Sequence, residues 1–475
     1  MRVLVTGATG YIGGRLVPRL CEAGHTVRCL ARAPLRLQAR FDERVEIVEG
    51  DVGDAAAVES ALKDCHAAYY LVHSMASTRA FAQKDREGAA IFGSAARKAG
   101  VQLLVYLGGL GDESSALSPH LRSRHEVGSV LRECGVPVIE FRAAQIIGSG
   151  SVSFEMIRYL TERLPVMIAP KWVMTRCQPI GVGDVLQYLV AALAQTRRSC
   201  IYEIGGRDVL TYRQMMLRYA SLRGLKRLIV VVPLFTPKLS SYWVHLITPI
   251  PARLAQPLIK GLTNEVIVHG DASLRAFPDI HPTSFDEALR LALDRSRSGD
   301  RESTWFDAFA AYAPRGDFSG IQEGMLIDRR VRAASVPAVR VAQIFSALGG
   351  ERGWLAANYL WALRGLLDRL IGGVGLRRGR RSATGLRVGD AVDFWRVEAY
   401  EPDRLLRLRA EMRLPGRAWL QFEARSGDQA RSTLVQTAFF EPRGLWGQLY
   451  WYCVAPFHKA VFGSLAERIV RAAEQ

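Results

Sequence analysis

The residues whose types and spacing carry chemistry are Thr6-Gly7-Ala8-Thr9-Gly10-Tyr11-Ile12-Gly13. Glycines at this spacing suit a turn that holds a dinucleotide pyrophosphate. Gly7 permits a sharp turn, Gly10 lets the backbone approach the phosphates, and Gly13 lets a helix pack closely on a sheet. Thr6, Thr9, Tyr11 and Ile12 complete the expected cradle, where free N–H groups and a helix dipole meet the negative charge. A glycine turn without a ligand is the bland alternative. Downstream, Leu30-Ala31-Arg32 stands where an NAD-binding chain would place a carboxylate for the ribose 2′-hydroxyl. Arg32 could instead pair with a 2′-phosphate, so NADP is favoured and NAD is the alternative; a plain surface role for Arg32 stays open. Asp51 and Val52 follow a further apolar run and are placed to reach the adenine.

The elements around these residues are legible from periodicity. Val3-Leu4-Val5 reads as a buried strand, and Ile12, Leu16 and Leu20 form a helical stripe. Pro18 falls inside that helix, where a kink is expected. Strands over 27–30, 45–48, 68–72, 103–107 and 138–141 alternate with helices over 55–62, 80–99 and 121–134. Alternation of this kind predicts a parallel sheet covered by helices on both faces. Tyr69, Tyr70, His73 and Ser74, at the end of the fourth strand, are candidates to line a nicotinamide site, with a satisfied packing histidine as the leading reading of His73.

The TGATGYIG turn and the Gly50-Asp51-Val52 that follows resemble the extended and atypical short-chain dehydrogenase/reductases over roughly residues 1–295. Within them the chain is most similar to NmrA-like and complex I 39-kDa-subunit-like proteins, in a bacterial group carrying a C-terminal domain of unknown function, DUF2867. The resemblance implies NAD(P) binding and an oxidoreductase that works through a YxxxK pair. In that register His120 stands at the Tyr position and Arg124 at the Lys position. They are one turn apart on a helix face. His can move a proton near neutral pH, and Arg can hold a ribose but carries protons poorly. The usual serine is replaced by Gly108-Gly109-Leu110-Gly111, with Ser114 and Ser115 beyond. His120 and Arg124 are therefore candidates for catalysis, with a structural or ligand-contacting role as the alternative.

Domain expectations follow. Residues 1–296 form an NAD(P)-binding, doubly wound parallel Rossmann α/β domain, its substrate-side region covering about 151–296. There, Thr283 with Asp286, or Ser284 with Glu287, is expected to cap a helix. A polar linker covers 297–330. Residues 331–475 form an α+β helix-grip domain: an apolar helical section, alternating strands near 392–440, and a helix with Phe457, Val461, Leu465 and Ile469 on one stripe. Leu406, Leu408, Ala410 and Met412 should share one strand face, with Arg407, Arg409 and Glu411 on the other. This resembles the START/polyketide-cyclase-like superfamily. Its dense aromatics either line a pocket for a hydrophobic ligand or fill the core.

Composition narrows the classes. The chain has 475 residues, 49% of them hydrophobic, and a net charge of +17. Nucleic acid, an anionic membrane surface or an anionic cofactor could each match that charge, and no nucleic-acid-binding motif is present, so none is expected as a partner. The basic run Arg377–Arg381 reads as a solvated loop or a phosphate or lipid contact. Seven cysteines occur without a CxxC pair, which suggests neither a disulfide framework nor a metal site. With a first strand from Arg2 no secretory leader is expected, and the protein is placed in the cytoplasm. The apolar stretch 228–262, broken by five prolines, is too interrupted to span a bilayer. It reads as a substrate-pocket wall, or as a peripheral contact with the inner face of the membrane. Two functions compete: an NADP-preferring oxidoreductase of a hydrophobic small molecule, and a non-catalytic NAD(P)H sensor or assembly factor that binds a partner protein.

Overall fold

The structure is a computed structural model. It describes residues 1–32, 34, 37, 41, 44–72, 79–112, 117–195, 198–232, 261–294, 317–322, 325–350, 353–356, 358–370, 375, 385–427 and 431–475. His73, Ser74, Ser114, Ser115, the run 377–381 and most of the apolar stretch, residues 233–260, lie outside the described residues. The chain divides into two compact units: Met1–Thr161 with Pro165–Tyr312, and Ala313–Gln475 with Glu162–Leu164.

The first unit is built on strands β1 (Arg2–Thr6), β2 (Thr26–Ala31), β3 (Val45–Glu49), β4 (Ala67–Tyr70), β5 (Leu103–Gly109) and β6 (Val138–Ala143). Strand β7 (Ile146–Ile147) pairs with β10 (Ile180–Gly181), β8 (Val166–Pro170) with β13 (Leu228–Val232), and β9 (Arg176–Cys177) with β12 (Leu210–Thr211). With β11 (Cys200–Ile204), the main sheet has seven strands in the order β11-β6-β5-β4-β1-β2-β3. Its pairs are parallel, and Val3 lies opposite both Val27 and Ala67. The strand order reverses between β1 and β4, where doubly wound sheets bind ligands beyond the strands' carboxyl ends.

Helices cover both faces: α1 (Gly13–Glu22), α2 (Ala55–Leu62), α3 (Arg79–Lys98), α4 (Pro119–Glu133), α5 (Val152–Arg163), α6 (Val182–Ala191), α7 (Tyr212–Leu222), α8 (Ala272–Ala276) and α9 (Phe285–Asp294). Successive strand side chains point to opposite faces, so Val3, Val5 and Tyr69 join one core with Leu16, Val17 and Tyr188. Leu4 and Tyr70 join the other with Val58, Phe92 and Leu131. Helix α1 continues through Pro18 to Glu22. Of the two expected caps of α9, the one between Ser284 and Glu287 forms: the Ser284 amide donates to the Glu287 carboxylate at 2.8 Å, and the Glu287 amide to Ser284 Oγ at 3.3 Å.

The second unit is a seven-stranded antiparallel sheet in the order β14-β15-β20-β19-β18-β17-β16. The strands are β14 (Phe318–Gln322), β15 (Met325–Ala334), β16 (Ala391–Val392), β17 (Trp395–Glu401), β18 (Leu405–Ala410), β19 (Gly416–Ser426) and β20 (Ser432–Pro442). The expected linker 297–330 thus needs correction: its last part forms β14 and most of β15, the latter paired along its length with β20. Helices α10 (Ala338–Ser346), α11 (Asn358–Leu370) and the long α12 (Gly444–Glu474) accompany the sheet. Val341, Phe345, Leu408, Leu420, Phe422, Leu465 and Ile469 share its core. Arg407, on the strand face opposite Leu406 and Leu408, is buried and donates through Nε to Gln421 Oε1 at 2.8 Å. No helix among the described residues is long and apolar enough to cross a membrane.

Candidate cofactor and active site

The turn after β1 is forced by its glycines. Gly7 has φ +73°, and a Cβ there would lie 2.5 Å from the Leu71 carbonyl oxygen. A Cβ on Gly13 would meet the Gly7 carbonyl oxygen at 2.4 Å. The turn closes through the Gly10 amide, which donates to Gly7 O at 2.8 Å. Thr6 fixes its origin: Oγ1 donates to Tyr69 O at 2.9 Å and accepts from the Leu71 amide at 3.3 Å, so the ends of β1 and β4 are tied together.

Helix α1 starts without a side-chain cap at Ile12 and without an acidic residue in its first turn. Its positive end is therefore not neutralised locally, which suits an anion. Thr9 and Gly10 are exposed, and Tyr11 and Ile12 are half-buried. Arg15 stacks on the Tyr11 ring at 4.0 Å and donates to Ser149 O at 3.0 Å, bracing the turn against the loop after β7. The residues present fit a dinucleotide: the backbone is narrow where a Cβ would intrude, and the helix end carries the right charge.

At the far edge, the structure brings together two residues that sequence spacing treats separately. Arg32 Nε lies 3.6 Å from Asp51 Oδ2, and the two side chains are 83% and 51% exposed. The other Asp51 oxygen, Oδ1, accepts from the Gly53 amide at 2.9 Å. Val52 is half-buried beside them. An ion pair this exposed contributes roughly 0–1 kcal/mol, so Arg32 exchanges partners at little cost.

Helix α4 carries His120 and Arg124. Ser118 caps it, accepting from the Leu121 amide at 3.4 Å, and Pro119 occupies the first turn, where a missing N–H costs nothing. His120 is half-buried. Arg124 is aimed at the carboxyl end of β5: Nη2 donates to Leu107 O at 2.7 Å. His125 Nε2 lies 2.9 Å from Gly109 O, which pins the same helix to the same strand end. Glycine at 109 makes room for this, since a Cβ would meet Leu121 at 2.7 Å and Arg124 Cδ at 3.3 Å.

Tyr69 and Tyr70 do not line a nicotinamide site. They point to opposite faces of a sheet that is covered on both sides. Tyr69 is fully buried and donates to Leu189 O at 2.7 Å. Tyr70 packs on Phe92 and Tyr106, with centroids 5.1 and 6.3 Å away. Burial raises both phenol pKa values above their ordinary value.

Sequence spacing did not single out two further groups. Tyr106 Oη donates to the Arg124 carbonyl at 3.0 Å; burial raises its pKa, with the Arg124 charge opposing. Glu140, fully buried on β6, accepts from Arg142 Nε at 2.7 Å and from Arg132. Gly128 faces that carboxylate, since a Cβ would lie 2.5 Å from Glu140 Oε2. The signal available in the sequence was a carboxylate inside the apolar run Val138-Ile139-Glu140-Phe141. No His/Cys/Asp/Glu cluster among the described residues could hold a metal ion.

Comparison with known proteins agrees with this architecture. The family model described as NAD(P)H-binding matches residues 7–145, and the model for a protein of unknown function (DUF2867) matches 323–465. A (4-alkanoyl-5-oxo-2,5-dihydrofuran-3-yl)methyl phosphate reductase of Streptomyces griseus is 31% identical over 230 residues, which is 47% of this chain and 74% of the relative. A ceramide reductase of Caulobacter vibrioides is 28% identical over 239 residues, covering 49% and 73%. The fold is similar to that of a triphenylmethane reductase from Citrobacter sp., with a TM-score of 0.52 and 16% identity over 62% of this chain and 100% of that one. The chain belongs to the NAD(P)H-binding reductase family allied to the short-chain dehydrogenase/reductases, here carrying a DUF2867 domain as well.

Proposed function

We propose that the protein is a reductase that prefers NADP(H) to NAD(H) and acts on a hydrophobic small molecule. The observation that carries this reading is the pairing of the glycine cradle with an exposed, weakly engaged Arg32 at the end of β2. A guanidinium matches a phosphate through two parallel hydrogen bonds, whereas a ribose hydroxyl calls for a carboxylate. Thr6, Gly7, Thr9, Gly10, Tyr11, Ile12 and Gly13 would hold the pyrophosphate, and Asp51 and Val52 the adenine side. When bound, the nicotinamide supplies the hydride. Arg124, held on the Leu107 carbonyl, orients the ribose, and His120 one turn away moves the proton. The relatives' names, reductases of a furanone phosphate and of ceramide, support an apolar carbonyl compound as the substrate class. In this reading the protein works in the cytoplasm with its seven cysteines as free thiols.

Calorimetric titration with NADPH and NADH tests the cofactor assignment. NADPH is expected to bind more tightly, and Arg32→Ala to remove that preference with NADH binding unchanged. Equal affinities in the wild type, or a preference that survives Arg32→Ala, would refute it.

A second reading, a non-catalytic NAD(P)H sensor with a protein partner, is favoured by the replacement of the Tyr-Lys pair with His120 and Arg124. NADPH oxidation over a panel of apolar aldehydes and ketones separates the two. Turnover whose pH profile changes in His120→Phe supports the reductase; binding without turnover supports the sensor.

A further inference from the structure

An apolar cavity of about 290 Å³ lies within the second unit, among the antiparallel sheet, α11 and α12. Aromatic side chains dominate its wall, including Trp395 and Trp419 from the sheet, Trp361 from α11 and Trp451 from α12. The volume falls just below the ~300–1,000 Å³ of pockets for drug-sized molecules. Such a volume lined by aromatics would serve any apolar body. What gives it chemical selectivity is the set of polar hydrogens in the same wall.

Two of these are indole N–H groups. Trp395 is 4% exposed, and its Nε1 is buried without a hydrogen-bond partner; Trp361 Nε1 is in the same condition. Buried indole N–H groups ordinarily find an acceptor. The third is Arg364, also in the cavity wall. Its Nε points to Met412 Sδ at 3.2 Å, a weak acceptor, and its guanidinium lies 5.4 Å from the Tyr450 ring. Among the described residues no carboxylate pairs with it. Asp368, one turn along α11, is committed elsewhere: its oxygens accept from the amides of Arg413 at 2.7 Å and Gly375 at 2.8 Å. A cation in an apolar wall is stabilised when an anion completes it.

We propose that this cavity binds an amphipathic carboxylate, with its apolar chain or ring among the tryptophans and its carboxylate accepting from Arg364 and an indole N–H. The planar guanidinium fork matches a carboxylate's two oxygens. One arginine neutralises one negative charge, so a monoanion fits better than a phosphate. The site goes beyond the cofactor reading and does not depend on it.

The test uses the full chain without nucleotide, titrated with decanoate and with decanol, followed by tryptophan emission and calorimetry. Decanoate is expected to bind saturably, and decanol roughly tenfold more weakly, the ratio a charge-assisted hydrogen bond supplies. Arg364→Met keeps the apolar stem and should bring decanoate down to the level of decanol. Ala438→Leu fills the cavity from β20 and should weaken both ligands. A urea-unfolding transition of the second unit, the one NADPH does not raise, that matches the wild type shows that each variant is folded around the cavity. Retained NADPH binding separates failure here from failure of the cofactor assignment. Absent decanoate binding in the wild type, equal binding of acid and alcohol, or decanoate affinity unchanged in Arg364→Met would overturn the proposal.

Discussion

Replacing Gly7 with alanine separates the two demands that the cradle makes on its backbone. The first is conformational: φ at Gly7 is +73°, a region that costs a residue bearing a Cβ ~1–2 kcal/mol. The second is steric. The new methyl would lie 2.5 Å from Leu71 O and 2.8 Å from Leu71 C, both backbone atoms at the end of β4. These cannot swing aside as a side-chain tip would, so β1 and β4 must part locally, against the Thr6 hydroxyl that ties them. Overpacking of this kind adds ~1–3 kcal/mol, for a total of ~2–5 kcal/mol. Gly24 provides the control: its φ is +81°, but nothing lies within 4 Å of a Cβ built there. Gly24→Ala should therefore lose only the conformational part, ~1–2 kcal/mol. The assay is urea unfolding by circular dichroism with and without NADPH, because the transition that NADPH raises belongs to the unit that binds it. Gly7→Ala should lower that midpoint more than Gly24→Ala and weaken NADPH by roughly tenfold or more, while Gly24→Ala binds as the wild type does. If the two variants are equally destabilised, or Gly7→Ala keeps full NADPH affinity, the steric argument fails.

Two further outcomes follow from charges held in ion pairs. Glu140→Gln leaves Arg142 and Arg132 facing each other without the carboxylate that both use, and should cost ~3–5 kcal/mol in the same unfolding assay; a loss under 1 kcal/mol would show that the pair is replaceable. In the second unit, burial tends to raise the Asp317 pKa, but hydrogen bonds from the Val331 amide and Arg332 outweigh it and lower the value below the ordinary one. The folded state therefore holds this proton less readily than the unfolded chain. Its contribution to stability is present above the unfolded pKa and is lost as pH falls through the lowered folded one. Asp317→Asn should be less stable than the wild type at pH 7, with the gap closing as pH falls from about 4, the ordinary carboxylate value, through the lowered folded one; a gap that stays constant as acid is added would mean the charge is not its source.

Much of the candidate site was legible because its signals are local. Gly7, Gly10 and Gly13 act within a single turn, and their spacing alone implies the strand-turn-helix that holds them. The cap of α9 by Ser284 and Glu287 was legible for the same reason, although sequence could not choose it over Thr283 and Asp286: Thr283 instead donates to Asp184 Oδ2 at 2.7 Å, a contact 99 residues away. Tyr69 and Tyr70 show the opposite case. Adjacent tyrosines near a strand's carboxyl end look like site residues, and only the helices on both faces reveal that each is buried in its own core.

By itself, then, the sequence determined the order of elements, the two sheet types and the place of the glycine turn, because hydrophobic period and glycine spacing act over a few residues. Tertiary structure alone decided which residues meet across the fold. It set Arg32 beside Asp51, laid Arg124 on the end of β5, enclosed Glu140 between two arginines, and made a strand pair of residues that read as linker. It also put Arg364 among tryptophans from distant segments. These are contacts between segments tens to hundreds of residues apart, and they exist only once the sheets bring those segments to one place.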